Sequence, residues 1–175
     1  GLAEKTQFQR AIAHHTYIDQ AIRATDKKQK DAAYLAYQPG EAEILPGDLL
    51  CSGLRPMYKT LNERRSQLGT GARTHCDIVV KVDTTAMLIL TIGGNVRASV
   101  RMKNIPAGYI NKGTTLAPVS LRRPIFAHLK LQSAAVEADA LGNTPTLQQL
   151  ACTMSALPVT FVTANLSIPA RQKCD

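Results

Sequence analysis

The chain has 175 residues, of which 45% are hydrophobic and 19% are charged. This length supports one compact domain with its own core, and the balance of residue types excludes wholesale disorder. A formal net charge of +8 favours anionic partners such as acidic envelope polymers. Nucleic acid is a disfavoured partner, because Trp is absent and aromatic residues, which stack on single strands, make up only 5% of the chain.

The predicted elements begin with a helix. Apolar residues recur at helical spacing from Phe8 to Ala24, which predicts an amphipathic helix. A turn at residues 45–48 leads into a short strand at residues 49–51. Residues 53–73 contain Gly, Pro, Asn and five Arg or Lys residues, which predicts a long basic loop with room for a helical turn.

Four strands are predicted in the middle of the chain. Residues 75–82 are rich in β-branched side chains and end at a turn over residues 83–86. Residues 87–92 form an apolar strand that two glycines end. Residues 95–102 alternate between apolar and polar side chains, which predicts a half-buried strand with one basic face. The last of these strands is predicted at residues 124–131.

Small and polar residues dominate after Gln132, and we predict a C-terminal extension over residues 132–175. Thr144 followed by Pro145 is typical of a helix start, so a short helix is predicted over residues 147–154. The order of a helix, an antiparallel meander and an extension predicts an α+β fold. The chain has no apolar run long enough to span a membrane.

The four cysteines, an even number, allow three pairings. Cys51 lies close in sequence to Cys76, and Cys152 lies close to Cys174, so pairing within each couple would stabilise the fold by roughly 3 kcal/mol per disulfide. The alternative is four reduced, buried thiols in a cytosolic protein. The even count and the local spacing favour two disulfides and a periplasmic or secreted location.

His75 and its neighbours are the sharpest candidate site. Asp77 lies two residues further along the same predicted strand, so both side chains point to one face. An imidazole beside a polar partner suits general-base chemistry, because it titrates near neutrality and its partner fixes the tautomer. Asn95 follows the next strand at the same end of the hairpin and has an amide that could orient His75. Taken separately, a strand-end His and a turn-favouring Asn require no catalytic role.

Four segments occur in a characteristic order: AHHTYI at 13–18, PGDLLC at 46–51, HCDIVV at 75–80, and IGGNV at 92–96 followed by SV at 99–100. In this order and spacing they resemble the bacterial domain-of-unknown-function family 2272, over about residues 5–131. That family is similar to a distant branch of the NlpC and CHAP amidase/peptidase group. The resemblance implies a papain-like domain over residues 1–131, with a helix packed on an antiparallel sheet.

The resemblance also implies roles for the candidate residues. It implies that His75 is the general base and that Asn95 orients it, with Asp77 as the alternative orienting group. The implied nucleophile lies at a helix N-terminus before the strands, yet residues 1–50 contain neither Cys nor Ser. We therefore expect the nucleophile upstream of this chain, on a cleaved or separate piece of the same gene product.

Further residues are assigned to the edge of the site. Arg73, Arg97 and Arg101 are predicted to give the cleft a positive rim for peptide carboxylates, although solvated surface arginines are the simpler interpretation. His14 is predicted to lie at the rim, with an ordinary helix-surface histidine as the alternative. The resemblance implies that Cys51 and Cys76 lie on adjacent strands, which supports their pairing.

Two rival sites use other residues. Cys51 or Ser52 as an in-chain nucleophile lacks a helix N-terminus to lower a thiol pKa. A zinc site built from Cys51, His75, Cys76 and another His is disfavoured, because adjacent strand residues point to opposite faces and no C-x-x-C is present. We therefore predict no metal and no cofactor.

The leading functional expectation is an amidase or peptidase that acts on cell-wall peptide, with a peptidoglycan peptide or another anionic envelope ligand as its partner. The competing expectation is a non-catalytic module of the same fold that binds peptidoglycan or a partner protein. The residues that precede Gly1 would discriminate between these two classes, because a Cys or Ser at a helix start favours the enzyme.

Overall fold

The computed structural model describes residues 11–95, 99–110, 115–119 and 122–133. Nearly all of the predicted C-terminal extension, including the predicted pair of Cys152 and Cys174, lies outside the described residues. The helices and strands of the described part are α1 His14–Asp26, β1 Tyr34–Tyr37, β2 Leu49–Arg55, α2 Leu61–Arg65, β3 Arg73–Asp83, β4 Leu88–Gly93, β5 Arg101–Ile110, β6 Thr115–Pro118 and β7 Ile125–Leu131.

The strands form one sheet in the order β1-β7-β2-β3-β4-β5-β6, and every pairing is antiparallel. The sheet carries α1 packed against it, so the predicted α+β class is confirmed. The predicted strands that became β2, β3, β4 and β7 are also confirmed, as is the turn after β3. Neither helix in the described ranges has the length and apolar content needed to cross a membrane.

The sheet buries apolar side chains in two clusters. Leu49 and Cys51 of β2 belong to a cluster that includes Ile18 and Ile22 of α1. Leu50, between them in sequence, belongs to the other cluster. Because side chains alternate between the faces of a strand, β2 contributes to a core on each side of the sheet.

The start of α1 differs from the prediction. The apolar spacing predicted a helix from Phe8, but α1 begins at His14, and residues 11–13 are not helical. Ile12, which fits the helical spacing, is fully exposed. The N-cap residue Ala13 has an extended conformation and forms no side-chain cap. The start of α1 is instead held by tertiary hydrogen bonds, from the backbone N–H of Cys76 to His14 and between His15 and the carbonyl of Ala72.

The predicted strand at residues 95–102 is wrong in position. Asn95 has a left-handed φ of 57°, which interrupts the extended conformation, and β5 runs from Arg101 to Ile110. Pro106 lies within β5, although proline cannot donate a hydrogen bond to a strand ladder. It is the last residue of β5 that pairs with β4, and the next residue, Ala107, pairs with β6. The backbone hydrogen bond that proline cannot donate is therefore missing only where the pairing strand changes.

A buried ion pair joins α1 to α2. Asp19 and Arg64 are both almost completely buried and form two hydrogen bonds, of 2.7 Å from Nε and 2.6 Å from Nη2. Arg64 also donates to the hydroxyl of Tyr58 and to the carbonyl of Thr70, while the backbone N–H of Gly69 donates to Asp19. These additional bonds satisfy the charges, whose burial would otherwise be costly.

Asp48 connects the loop before β2 to β7. Its buried carboxylate accepts the backbone N–H groups of Leu45 and Leu131 and lies 2.8 Å from Nε2 of His128 and 3.3 Å from Nζ of Lys130. Burial raises the pKa of Asp48, but the hydrogen bonds from His128 and from the two backbone groups outweigh that effect and hold it below its ordinary value.

The Cys51–Cys76 disulfide is confirmed. The two residues are direct cross-strand partners on β2 and β3, and the bond closes a sequence separation of 25 residues. It therefore constrains the unfolded chain across the long basic segment between these strands.

Replacing both Cys51 and Cys76 by Ala is expected to lower the free energy of unfolding by about 3 kcal/mol, because the unfolded chain regains the freedom of this loop. Urea unfolding of the oxidised protein and of the double variant measures the difference. Reductant should weaken the wild type more than the double variant. Equal urea midpoints for the two oxidised proteins would contradict the prediction.

Asp48→Asn is expected to make stability less dependent on acid pH. The folded-state pKa of Asp48 lies below the ordinary value of 3.8, so its contribution is present above that value and is lost as pH falls through the lower folded pKa. The stability difference from wild type should therefore be largest near neutrality and shrink on acidification, as followed by urea unfolding between pH 2 and 7. Asp26→Asn, at an exposed ion pair with Arg65, should have little effect. A difference that stays constant with pH would refute this assignment.

Candidate active site

Three neighbouring strands bring the site together. β3 carries His75 and Asp77, β4 ends at Gly93 beside them, and β5 carries Lys103. The Nε2 atom of His75 lies 2.9 Å from Oδ1 of Asp77. Nζ of Lys103 donates to both carboxylate oxygens, at 3.0 and 2.8 Å. One carboxylate therefore links a histidine and a lysine across the sheet.

The Asp77 carboxylate is buried, while its partners reach solvent. The exposed fraction is 6% for the Asp77 side chain, 27% for His75 and 37% for Lys103. Burial raises the pKa of Asp77, but hydrogen bonds from His75 and Lys103 and the attraction of their charges outweigh it, and the pKa is lowered. Asp77 is therefore a fixed negative charge beneath a partly accessible imidazole.

This contact assigns roles to the two ring nitrogens of His75. An ionised carboxylate only accepts hydrogen bonds, so Nε2 must carry the hydrogen that faces Asp77. In the neutral ring the lone pair is then on Nδ1. Within the described residues no hydrogen bond to Nδ1 is formed, which leaves it available as a base.

His14 lies directly against His75. Their ring centroids are 5.0 Å apart in a stacked arrangement, and Nδ1 of His14 accepts the backbone N–H of Cys76 at 2.8 Å. Burial lowers the pKa of His14, and repulsion from a charged His75 lowers it further, against a smaller opposing effect of Asp77. His14 therefore acts as a neutral neighbour that holds the plane of the His75 ring.

Tyr17 extends the cluster by one helical turn, with its ring centroid 5.3 Å from that of His14. Burial raises the pKa of Tyr17, and the nearby Tyr34 and the negative charge of Asp77 raise it further. The Tyr17 hydroxyl therefore keeps its proton across the physiological range and can donate a hydrogen bond.

Asn95 does not fill the position that the sequence suggested. It is exposed, and within the described residues it makes no hydrogen bond to His75. Asp77, the alternative orienting group, is the residue that contacts the imidazole. The left-handed φ of Asn95 serves the turn after β4 instead, a conformation that Asn tolerates better than most residues.

The predicted arginines are placed only in part. Arg73 and Arg101 are exposed at the starts of β3 and β5, and Nε of Arg101 donates to the Ser99 hydroxyl. Arg97 lies outside the described residues. Two of the three arginines that were predicted to form a positive rim are therefore described, and both are exposed.

Lys103 and Gly93 are parts of the site that sequence reasoning missed. Lys103 lies on the same face of β5 as Ile105 and Ala107, which are both buried, whereas the residues between them are exposed. A lysine on the buried side of a strand indicates a buried acidic partner, but this signal appears only once β5 is placed correctly.

The residues of the two rival sites, the in-chain nucleophile and the zinc site, are placed by the structure as follows. Cys51 and Cys76 are joined in a disulfide, so neither is a thiol nucleophile or a zinc ligand. Across the described ranges, no group of three His, Cys, Asp or Glu side chains is arranged to hold a metal ion. Ser52 is the cross-strand partner of His75, yet no hydrogen bond joins the two side chains in the part of the chain that is described.

Gly93→Ala is expected to disrupt the site and to destabilise the sheet by about 1–3 kcal/mol, because its Cβ would clash with Oδ1 of Asp77 and would lie 2.9 Å from Nε2 of His75. Gly94→Ala is the matched control, since a Cβ there meets nothing within 4 Å. Urea unfolding and the imidazole NMR signals of His75 measure the two effects. If both variants behave alike, the close packing at Gly93 is wrong.

Comparison with known proteins places this chain in a family. No match was found among curated proteins, and none among solved structures. A family model described as an uncharacterized protein conserved in bacteria (DUF2272) matches residues 2–131. This range contains every described strand and both helices, including the His75–Asp77 pair. The chain therefore belongs to the DUF2272 family.

Proposed function

We propose that this domain is a papain-like hydrolase that cleaves an amide bond in cell-wall peptide. The observation that carries the proposal is the His75–Asp77 pair, in which a buried carboxylate orients a partly exposed imidazole. Its nucleophile is assigned to a residue outside the described ranges. The resemblance of the family to the NlpC and CHAP group supports the same reaction class.

The geometry suggests how the proton moves. Nδ1 of His75 takes the proton of the attacking hydroxyl or thiol, and the resulting imidazolium is stabilised by Asp77. The nucleophile bonds to the carbonyl carbon, and the same proton passes to the leaving amine as the C–N bond breaks. Water, deprotonated by His75, then hydrolyses the acyl-enzyme and returns the proton to the nucleophile. Lys103 keeps Asp77 ionised and in place, and the stacked His14 limits rotation of the His75 ring.

The proposed substrate follows from charge and compartment. The chain carries a net charge of +8, and Arg73 and Arg101 are exposed at the ends of strands next to the site. Cell-wall peptides carry carboxylates that such a rim would attract. The Cys51–Cys76 disulfide is compatible with a periplasmic or secreted protein.

A second candidate function is a non-catalytic module that binds wall peptide or a partner. Within the described residues no side chain with a nucleophilic oxygen or sulfur is hydrogen-bonded to His75. Ile78, Ile92 and Met102 form a row across β3, β4 and β5, with exposed fractions of 49%, 37% and 63%. An exposed apolar row of this kind is typical of a surface that binds a ligand or a partner, and it requires no catalysis.

Hydrolysis of purified muropeptides, followed by mass spectrometry, tests the proposal on the protein expressed from its complete reading frame. His75→Ala is expected to lower the rate by about 10²–10⁴-fold, because the general base is lost. Asp77→Asn should also lower it, since an amide stabilises the imidazolium less well. His15→Ala is the matched control, because His15 lies next to His14 but contacts the carbonyl of Ala72 instead of the site.

Ser52→Ala separates an external nucleophile from an internal one. Full activity in this variant agrees with a nucleophile outside the described residues, whereas loss of activity would assign that role to Ser52. A protein that binds muropeptides and leaves them unchanged for hours, with or without His75, would establish the binding-module alternative.

A further inference from the structure

A groove of about 190 Å³ runs along α1, between this helix and the segment that leads into β1. Tyr17 lies at one end of its lining and Lys27 at the other, and Arg23 stands between them on the helix. Gln29 and Tyr34 line the side formed by the following segment. Small alanines make up much of the remaining lining.

Tyr17 connects this groove to the candidate active site. It lines the groove, and its ring also lies 5.3 Å from that of His14, which stacks on His75. Residues separated by three or four positions share one face of a helix, and Tyr17, Ala21 and Ala24 continue the face that begins at His14. The groove therefore begins at Tyr17, one helical turn from His14, and follows α1 away from the imidazole pair.

The far end of the groove is cationic. Arg23 and Lys27 are both exposed, and none of the residues that line the groove is acidic. Within the described part of the chain, neither residue takes part in an ion pair, in contrast to Arg65, which pairs with Asp26. Two unneutralised cations beside the amide side chain of Gln29 favour a ligand that carries a negative charge.

The position of these cations on the helix favours a carboxylate over a phosphate. Arg23 lies in the last turn of α1 and Lys27 is its C-cap, where the backbone carbonyls are directed outward. This end of a helix attracts cations and repels multiply charged anions, which bind instead at N-termini. A singly charged carboxylate held by two side chains fits this setting better.

We infer that this groove binds the acidic side chain of an extended peptide substrate, several residues away from the bond that is cleaved. This inference rests on the proposed function, because it extends the same site. From His14 to Arg23 the helix rises about 13 Å, which corresponds to roughly four residues of extended peptide. The substrate class is thus an acidic peptide whose charge lies about four residues from the reacting carbonyl.

NMR titration of the ¹⁵N-labelled chain tests the inference without depending on catalysis. The probes are N-acetylated, C-amidated Ala-Glu-Ala and its neutral counterpart Ala-Gln-Ala. The acidic peptide is expected to shift the amide signals of Arg23, Lys27 and Gln29 and to bind about tenfold more tightly than the neutral one. The double variant Arg23→Gln/Lys27→Gln should remove this preference.

Lys30→Gln/Lys59→Gln removes the same charge from exposed positions outside the groove and should keep the preference. His75→Ala should also keep it, so binding at the groove is read independently of hydrolysis. Equal binding of the two peptides, an unchanged preference in Arg23→Gln/Lys27→Gln, or no shifts at about 10 mM peptide would overturn the inference. If muropeptides are not hydrolysed while the groove still prefers the acidic peptide, only the proposed function fails.

Discussion

The buried carboxylate of Asp77 is the constraint on which the rest of the site depends. A charge inside a sheet is costly unless ion pairs and hydrogen bonds compensate it. Here the compensation comes from His75 on the same strand and from Lys103 two strands away. The Lys103 contact requires β3, β4 and β5 to keep one register, and both contacts require Gly93 to leave space for the carboxylate. The Asp77–Lys103 ion pair and the sheet register are therefore a single structural requirement.

The sequence was sufficient to predict those elements of the fold that depend on short stretches of the chain. β3, β4 and the turn between them follow from β-branched runs and an Asp-Thr-Thr turn, and the Cys51–Cys76 pairing follows from close spacing. β5 was misplaced because the alternation of apolar and polar side chains at residues 95–102 is typical of a strand, whereas Pro106 and Gly108 are residues that central strands disfavour. Those two residues are tolerated in β5 because its pairing partner changes beside them, which is a property of the assembled sheet.

The candidate site divides in the same way. The spacing of His75 and Asp77 was sufficient to predict that they share a face, because two residues on one strand need no tertiary information. Lys103 lies 26 residues from Asp77 in sequence, and its contact depends on a strand whose position the sequence did not reveal. Asn95 was suggested by its place at the same end of the hairpin and by the resemblance, but its backbone conformation assigns it to the turn. The family match over residues 2–131 covers all the motifs that carried the resemblance. The family is described as uncharacterized, so the proposed chemistry rests on the geometry of the site.

The place of β7 in the sheet sets an order in which the domain can assemble. β7 is the last described strand, yet it lies between β1 and β2 and is the direct neighbour of each. Residues 125–131 must therefore leave the ribosome or the translocation pore before the first strand can join the sheet. Until then β2 and β3 can already pair and can be oxidised at Cys51 and Cys76. A nascent chain stopped before β7 would expose two unpaired strand edges, which are favoured sites of aggregation.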